Sequence, residues 1–105
     1  MSLSEEVYKL VKKILAGKVA TYGQIARELG RPNSSRAIGR ILSKNQNSFL
    51  DKNKKNRIPC HRVVMSDGFL GGYNGGTQNK VRLLTKEGII IKNNKIDLDK
   101  YIYKY

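Results

Sequence analysis

The segment TYGQIARELGRPNSSRAIGRIL, residues 21–42, predicts two helices joined by a short turn. Thr21 and Gln24 have the spacing of a capping box, so the first of these helices is expected to begin at Thr21. Apolar residues at helical spacing form its inner face, and they are Ile25, Ala26 and Leu29. Gly30 is a natural helix end. A helix, a short turn with glycine and a second helix have the layout of a helix-turn-helix.

The second helix of this pair follows Asn33 and Ser34, either of which can cap it. Its inner face is predicted to hold Ala37, Ile38, Ile41 and Leu42. Upstream, Ser2 and Glu5 also have capping-box spacing. The apolar residues that follow on one helical face are Val7, Leu10, Val11, Ile14 and Leu15. Gly17 is expected to end that helix, so three helices make up the predicted core.

The second half of the chain is predicted to be more irregular. Residues 46–57 are rich in Lys and Asn and indicate a polar loop. The glycine-rich run that follows permits tight turns, and a fourth helix is expected over residues 77–88. Residues 89–98, with a turn at Asn93-Asn94, predict a β-hairpin. We therefore expect a mainly α fold with a small β-hairpin, namely a winged helix-turn-helix with a three-helix core, an active-site loop and a C-terminal helix.

The charge balance indicates a polyanionic partner. The chain has 105 residues, with 21 basic and 8 acidic residues and a net charge of +13, and this length fits a single domain spanning residues 1–105. Such a charge favours a polyanion or an anionic membrane surface, and we favour nucleic acid. A solvated basic surface is the alternative. The lysines of residues 46–57 either are solvated or contact DNA.

The cysteine content and the hydropathy of the sequence indicate the cellular compartment. A single Cys cannot form an internal disulfide, and charged residues interrupt the first apolar run, which leaves no signal-peptide pattern. No stretch has the length of a membrane span. We expect a cytoplasmic protein that does not contact membranes. One Cys and one His cannot by themselves supply a four-ligand zinc site, so no metal site is expected.

The segment Pro59-Cys60-His61-Arg62-Val63 contains the only cysteine and the only histidine of the chain. A thiolate is a nucleophile, and a thiol needs a proton acceptor to form it. A lone cysteine is nevertheless often a small buried apolar residue, and consecutive side chains often point apart. From these residues alone, a reactive thiol and an inert one both remain open.

Several motifs occur together, in one order and spacing, along most of the chain. They are Val19-Ala20-Thr21-Tyr22-Gly23-Gln24-Ile25-Ala26, Ser35-Arg36-Ala37-Ile38-Gly39, Pro59-Cys60-His61-Arg62-Val63-Val64, Gly72-Tyr73-Asn74-Gly75-Gly76 and Glu87-Gly88. In this combination the chain resembles the active-site and DNA-binding domain of the O6-alkylguanine-DNA alkyltransferases, also called methylated-DNA–protein-cysteine methyltransferases. The resemblance implies a DNA repair protein that flips an alkylated guanine out of duplex DNA and transfers the alkyl group irreversibly to its own cysteine. It implies no cofactor.

The resemblance implies catalytic roles for five residues. Cys60 is expected to be the nucleophile and alkyl acceptor, and His61 to take the thiol proton through a water molecule. Glu87 is expected to hold the histidine tautomer, as the third member of a triad does. Tyr22 and Lys80 are expected to assist the departing base, on which negative charge develops.

The same resemblance implies substrate and DNA contacts. The residues expected around the base are Val63, Tyr73, Asn74 and, as a hinge to the recognition helix, Asn45. The residues expected at DNA on the third helix are Arg36, Ala37, Gly39, Arg40 and Lys44. Arg36 is expected to fill the gap left by the flipped base, with this helix in the minor groove. We expect a monomer bound to double-stranded DNA.

Two departures from the family pattern stand out. Residues 46–57 lengthen the loop before the cysteine, and the N-terminal domain that many members carry is expected to be absent. Alkyltransferase-like proteins, which bind the lesion without transfer and usually carry Trp at the cysteine position, are the first alternative. The presence of Cys60, His61 and Glu87 favours transfer. A basic transcriptional regulator with an incidental thiol is the second alternative, but it leaves the surroundings of Cys60 unexplained.

Overall fold

The computed structural model describes residues 2–44, 57–73 and 75–105. The expectations for Asn45, for Asn74 and for nearly all of the polar loop concern residues outside these ranges. Within them the fold is mainly helical, with two small sheets. No helix in the described ranges is long and apolar enough to cross a membrane.

Three helices with predicted starts form the N-terminal half. Helix α1 is Leu3–Lys12, α2 is Tyr22–Glu28 and α3 is Ser35–Ser43. The capping box of α2 is present in full, because the Gln24 N–H donates to Thr21 Oγ1 at 3.0 Å and the Thr21 N–H donates to Gln24 Oε1 at 3.2 Å. All three helices contact one another around one cluster of buried side chains. Its helical members are Val7, Val11, Ile25, Ala26, Ile38 and Leu42.

The prediction for Leu15 was wrong. Helix α1 ends at Lys12, so Leu15 lies in the turn that leads to Gly17 and its side chain is 63% exposed. Gly17 has a φ of +86°, a left-handed conformation that glycine adopts at little cost. The helical spacing of the apolar residues therefore continues in sequence beyond the point where the helix stops.

A short parallel sheet, absent from the sequence prediction, connects the two halves of the chain. Strand β1 is Ala20–Thr21 and β2 is Val63–Val64, with Ala20 opposite Val63. On the other side of β1 the C-terminal tail pairs with Val19, because the Tyr103 N–H donates to the Val19 carbonyl at 2.7 Å. The start of α2 is thereby held beside the strand that follows the Cys60 motif.

The C-terminal part contains the predicted fourth helix and the predicted hairpin. Helix α4 is Thr77–Lys86. The hairpin consists of β3, Ile91–Lys92, and β4, Lys95–Ile96, joined through Asn93 and Asn94 with φ values of 53° and 59°. Two successive left-handed residues match a type I′ turn, which Asn tolerates. The identification of this hairpin as the wing of a winged helix stays a prediction.

The end of the chain is more helical than predicted. Leu98 was expected in the hairpin but begins helix α5, Leu98–Tyr101, whose N-cap is Asp97. The hairpin, α4 and α5 surround a second cluster of buried side chains. These are Val19, Val64, Leu70, Leu84, Ile89, Ile96 and Tyr101.

Candidate active site

Cys60 lies at the start of a single 3₁₀ turn, Cys60–Arg62, which packs against α4. The turn is closed by the Arg62 N–H, which donates to the Pro59 carbonyl at 2.9 Å, and it runs directly into β2. Cys60 is 4% exposed and His61 is fully buried. Both side chains are therefore held by the interior rather than presented on a mobile surface loop.

One wall of a cavity of ≈ 500 Å³ is formed by Cys60. The other lining residues come from α2, α3 and the glycine-rich loop, and they are Tyr22, Gly39, Leu42, Ser43, Gly72 and Tyr73. This volume lies within the usual range of small-ligand sites. The cavity brings together four sequence-predicted site residues, whereas Leu42, Ser43 and Gly72 were not predicted to lie there. Helical periodicity assigns Leu42 to the core.

His61, Glu87 and Arg62 form one hydrogen-bonded group behind this wall. His61 Nε2 lies 3.1 Å from Glu87 Oε2. Arg62 donates from Nε to Glu87 Oε1 at 2.9 Å and from Nη2 to Glu87 Oε2 at 2.5 Å. An ionised carboxylate can only accept hydrogen bonds, so Nε2 carries the proton of the neutral imidazole. The basic nitrogen of that tautomer is Nδ1.

The pKa values in this group keep the carboxylate ionised and the imidazole neutral. Burial tends to raise the pKa of Glu87, but its hydrogen bonds to His61 and Arg62 outweigh burial and lower that pKa to about 2. Burial lowers the pKa of His61, against the raising effect of Glu87 and with a further lowering effect of Arg62 and Lys80. A neutral imidazole is the form that can accept a proton from a thiol.

Lys80 is fully buried, and its ammonium group is anchored to backbone oxygens. Nζ donates to the carbonyl of Val63 at 2.8 Å, to that of Gly72 at 3.1 Å and to that of Leu70. Burial lowers the pKa of Lys80 to about 8, while Cys60 acts in the opposite direction. The side chain thus ties the strand after Cys60 to the loop in which Gly72 lines the cavity. Val63 does not line the cavity, and its carbonyl faces Lys80.

Tyr22 and Tyr73 shape the cavity from two sides. Burial raises the pKa of Tyr22, and Cys60 raises it further, so its phenol is protonated at neutral pH and can donate a hydrogen bond. The Tyr73 ring meets the His61 ring edge-on, with centroids 6.4 Å apart and planes at 78°. Two aromatic rings beside one thiol suit a planar ligand.

The residues predicted at DNA lie on α3, but only some of them are on its outer surface. Arg36, Arg40 and Lys44 are exposed, while Ala37 and Gly39 are half-buried. Arg36 borders a second, open cavity of ≈ 350 Å³, together with Tyr22 and the turn that begins at Met65. Tyr22 lines both cavities, so the cavity that Arg36 borders adjoins the cavity that Cys60 lines.

Three comparisons place these features among known proteins. The family described as "6-O-methylguanine DNA methyltransferase, DNA binding domain" matches residues 2–89. A methylated-DNA–protein-cysteine methyltransferase from Metallosphaera sedula is 46% identical over 91 residues, which cover 87% of this chain and 52% of the relative. The chain spans about a quarter to a half of the length of the curated relatives that it matches.

Two solved structures share this fold. S. pombe Atl1, in complex with damaged DNA containing O6-carboxymethylguanine, superposes with a TM-score of 0.80 and 30% identity, and all of both chains is covered. Mycobacterium tuberculosis OGT in complex with DNA gives a TM-score of 0.73 and 33% identity over 84% of this chain and 49% of that one.

Proposed function

We propose that this chain, which belongs to the 6-O-methylguanine DNA methyltransferase family through its DNA-binding domain, transfers the alkyl group of O6-alkylguanine in duplex DNA to Cys60. The observation that carries this proposal is the position of Cys60. Cys60 lines a cavity that two tyrosines also line, and the adjacent His61 is hydrogen-bonded to an ionised carboxylate. An inert core cysteine would not need this arrangement.

In the proposed reaction, His61 accepts the Cys60 proton through a water molecule, and Glu87 stabilises the imidazolium that forms. The thiolate sulfur then attacks the alkyl carbon of the flipped guanine. A sulfur–carbon bond forms as the bond from that carbon to O6 breaks, and the electron pair passes to the guanine. The resulting anion takes a proton from a donor in the cavity, for which Tyr22 is best placed. The thioether that remains is stable, so each chain reacts once.

For Lys80 we propose a positioning role in this reaction. Its ammonium protons are engaged with three backbone carbonyls, and these connect the β2 strand to the loop with Gly72. A cation in this place also favours the thiolate form of Cys60 by charge attraction. Both effects support transfer without contact between Lys80 and the base.

We propose that α3 lies in the minor groove and that Arg36 occupies the place of the flipped guanine. The exposure of Arg36 and its position beside Tyr22 support this role. The positive charge of the chain supports binding to the phosphate backbone. Arg36→Ala should slow transfer from a duplex, because flipping costs a few kcal/mol that an inserted side chain offsets. The same change should leave the reaction with the free alkylated base unaltered.

Lesion binding without transfer is the alternative, since Atl1 shares the fold. The two functions make different predictions for one measurement, the intact mass after incubation with a short duplex that contains O6-methylguanine. Transfer predicts that one methyl group replaces the thiol proton and maps to Cys60, in a 1:1 ratio, with no change in Cys60→Ser or with an unmodified duplex. Tight binding to the lesion duplex without any mass change would instead assign the chain to the binding-only proteins.

A further inference from the structure

Arg62 follows His61 in the chain and makes buried contacts for which the reaction proposed above gives no role. Its side chain is almost fully buried, and its guanidinium grips both oxygens of Glu87, at 2.9 Å and 2.5 Å. The remaining nitrogen, Nη1, donates to the Ile14 carbonyl at 2.8 Å. Ile14 lies just beyond Lys13, the C-cap of α1.

We infer that Arg62 is a positioning residue for the proposed transfer reaction, because it holds the Glu87 carboxylate in the one orientation in which Oε2 meets His61 Nε2. This inference rests on the proposed function. Glu87 is at the C-cap of α4 and could rotate about its side-chain bonds. Two parallel hydrogen bonds from a planar fork remove that freedom, which a single point contact cannot do.

The geometry also fixes which histidine nitrogen is the base. With Glu87 Oε2 held at Nε2, the neutral ring carries its proton there and Nδ1 is left as the basic nitrogen. The charged groups that face His61 are Glu87, Arg62 and Lys80, with Cys60 adjacent. Burial, with a smaller contribution from the two cations, lowers the pKa of His61 against the raising effect of Glu87, so the ring is neutral when it must accept a proton.

The hydrogen bond from Arg62 Nη1 to the Ile14 carbonyl also helps to position the site. The 3₁₀ turn contains both Cys60 and Arg62, and the Nη1 contact fastens this turn to the end of α1. Movement of the turn relative to α4 would carry Arg62 away from Glu87. One side chain thus connects the turn with the thiol both to the end of α1 and to the carboxylate at the end of α4.

The chain contains a single histidine, so ¹⁵N NMR of the ring reports on His61 without assignment and without DNA. In the wild-type protein at neutral pH we expect the tautomer with the proton on Nε2. Arg62→Lys keeps the charge but loses the fork, and we expect a mixture of tautomers and faster exchange of the Nε2 proton. Transfer from the methylated duplex should be slower by on the order of 10²-fold. The matched control is Arg82→Lys, at an exposed position of α4.

Several outcomes would overturn this inference. One is a wild-type ring with its proton on Nδ1, which requires no variant and therefore does not depend on whether Arg62→Lys folds. Another is an Arg62→Lys protein with the wild-type tautomer and the wild-type transfer rate. A lower melting temperature with unchanged tautomer populations would reduce Arg62 to a purely structural residue. If the wild type transferred no alkyl group, the proposed function would fail, while the NMR result would still decide whether Arg62 orients Glu87 and His61.

Discussion

Lys80 Nζ lies 2.8 Å from the carbonyl oxygen of Val63, so a fully buried ammonium group is anchored to the strand that leaves the Cys60 turn. From its place on α4 alone, Lys80 would be expected to point into solvent. The contact instead makes the side chain an internal brace, which also reaches the carbonyl of Gly72, a residue that lines the cavity.

Removing this brace should destabilise the fold. Lys80→Met keeps the length of the side chain but leaves two buried carbonyls and the less buried Gly72 carbonyl without their donor. Each unsatisfied buried acceptor costs about 1–3 kcal/mol, partly offset by removal of a buried charge. We expect the free energy of unfolding in urea to fall by about 2–4 kcal/mol at pH 7. Lys86→Met, at an exposed position of the same helix, is the control. Equal losses in both variants would contradict the brace.

Gly68 is expected to be intolerant of any side chain. Its φ is +91°, and a Cβ would lie 2.6 Å from the Ile96 carbonyl oxygen. The Ile96 N–H donates to the Gly68 carbonyl at 2.9 Å, which holds the two backbone segments at this distance. Strain and clash together predict that Gly68→Ala lowers the free energy of unfolding by about 2–4 kcal/mol. Gly30→Ala separates the two causes, because Gly30 has φ +70° but open space around its Cβ position. Gly30→Ala should lower the free energy of unfolding by only about 1 kcal/mol. A similar loss for Gly68→Ala would show that the backbone moves to relieve the clash with Ile96.

Glu87 should make the protein sensitive to acid. Its pKa is about 2 in the folded chain against an ordinary 4.5, so the unfolded state binds the proton first as the pH falls. The stability that this group contributes is complete above pH 4.5 and is lost as the pH falls toward 2. Urea unfolding of Glu87→Gln should therefore differ most from wild type at neutral pH, with a difference that shrinks below pH 4.5. Glu28→Gln, an exposed carboxylate, serves as control, and a pH-independent difference for Glu87→Gln would refute this assignment.

His61 should add to the same trend at a higher pH. Burial lowers its pKa below the ordinary 6.5, so between these two values the unfolded chain is protonated and the folded chain is not. Stability from this source is present above pH 6.5 and decreases as the pH falls through the folded pKa. An NMR titration of the single histidine should give a midpoint below 6.5. A midpoint above 6.5 would mean that Glu87 outweighs burial.

Tyr22 should matter for transfer and little for binding. Its phenol is protonated at neutral pH and borders the same cavity as Cys60. If it protonates or hydrogen-bonds the departing guanine, Tyr22→Phe should slow transfer by on the order of 10–100-fold with little change in affinity for the duplex. Tyr101→Phe controls for loss of one phenol, since its hydroxyl accepts from the Ile90 N–H at 3.2 Å, outside the cavity. An unchanged rate for Tyr22→Phe would mean that solvent, and not Tyr22, protonates the departing guanine.

Local patterns in the sequence predicted the helices, because caps and apolar spacing involve residues only a few positions apart. Thr21 with Gln24 predicted the start of α2, apolar spacing predicted the core faces of α1 to α3, and Asn93-Asn94 predicted the turn of the hairpin. The motif around Cys60 indicated the family, and the family resemblance indicated four of the residues that line the cavity. Helical periodicity wrongly assigned Leu15 to the inner face of α1, because the apolar residues keep their helical spacing beyond the last residue of the helix.

Only the tertiary structure decided how these pieces act on one another. Two-residue strands such as β1 and β2 have no periodicity to detect, and their pairing joins residues more than forty positions apart. The burial of Lys80 and the grip of Arg62 on Glu87 depend likewise on distant chain segments meeting, at sequence separations of 17 and 25. Such contacts fix the charge state of a side chain through its surroundings, and for that reason the sequence predicted Cys60, His61 and Glu87 as candidate site residues but not the contact of Arg62 with Glu87.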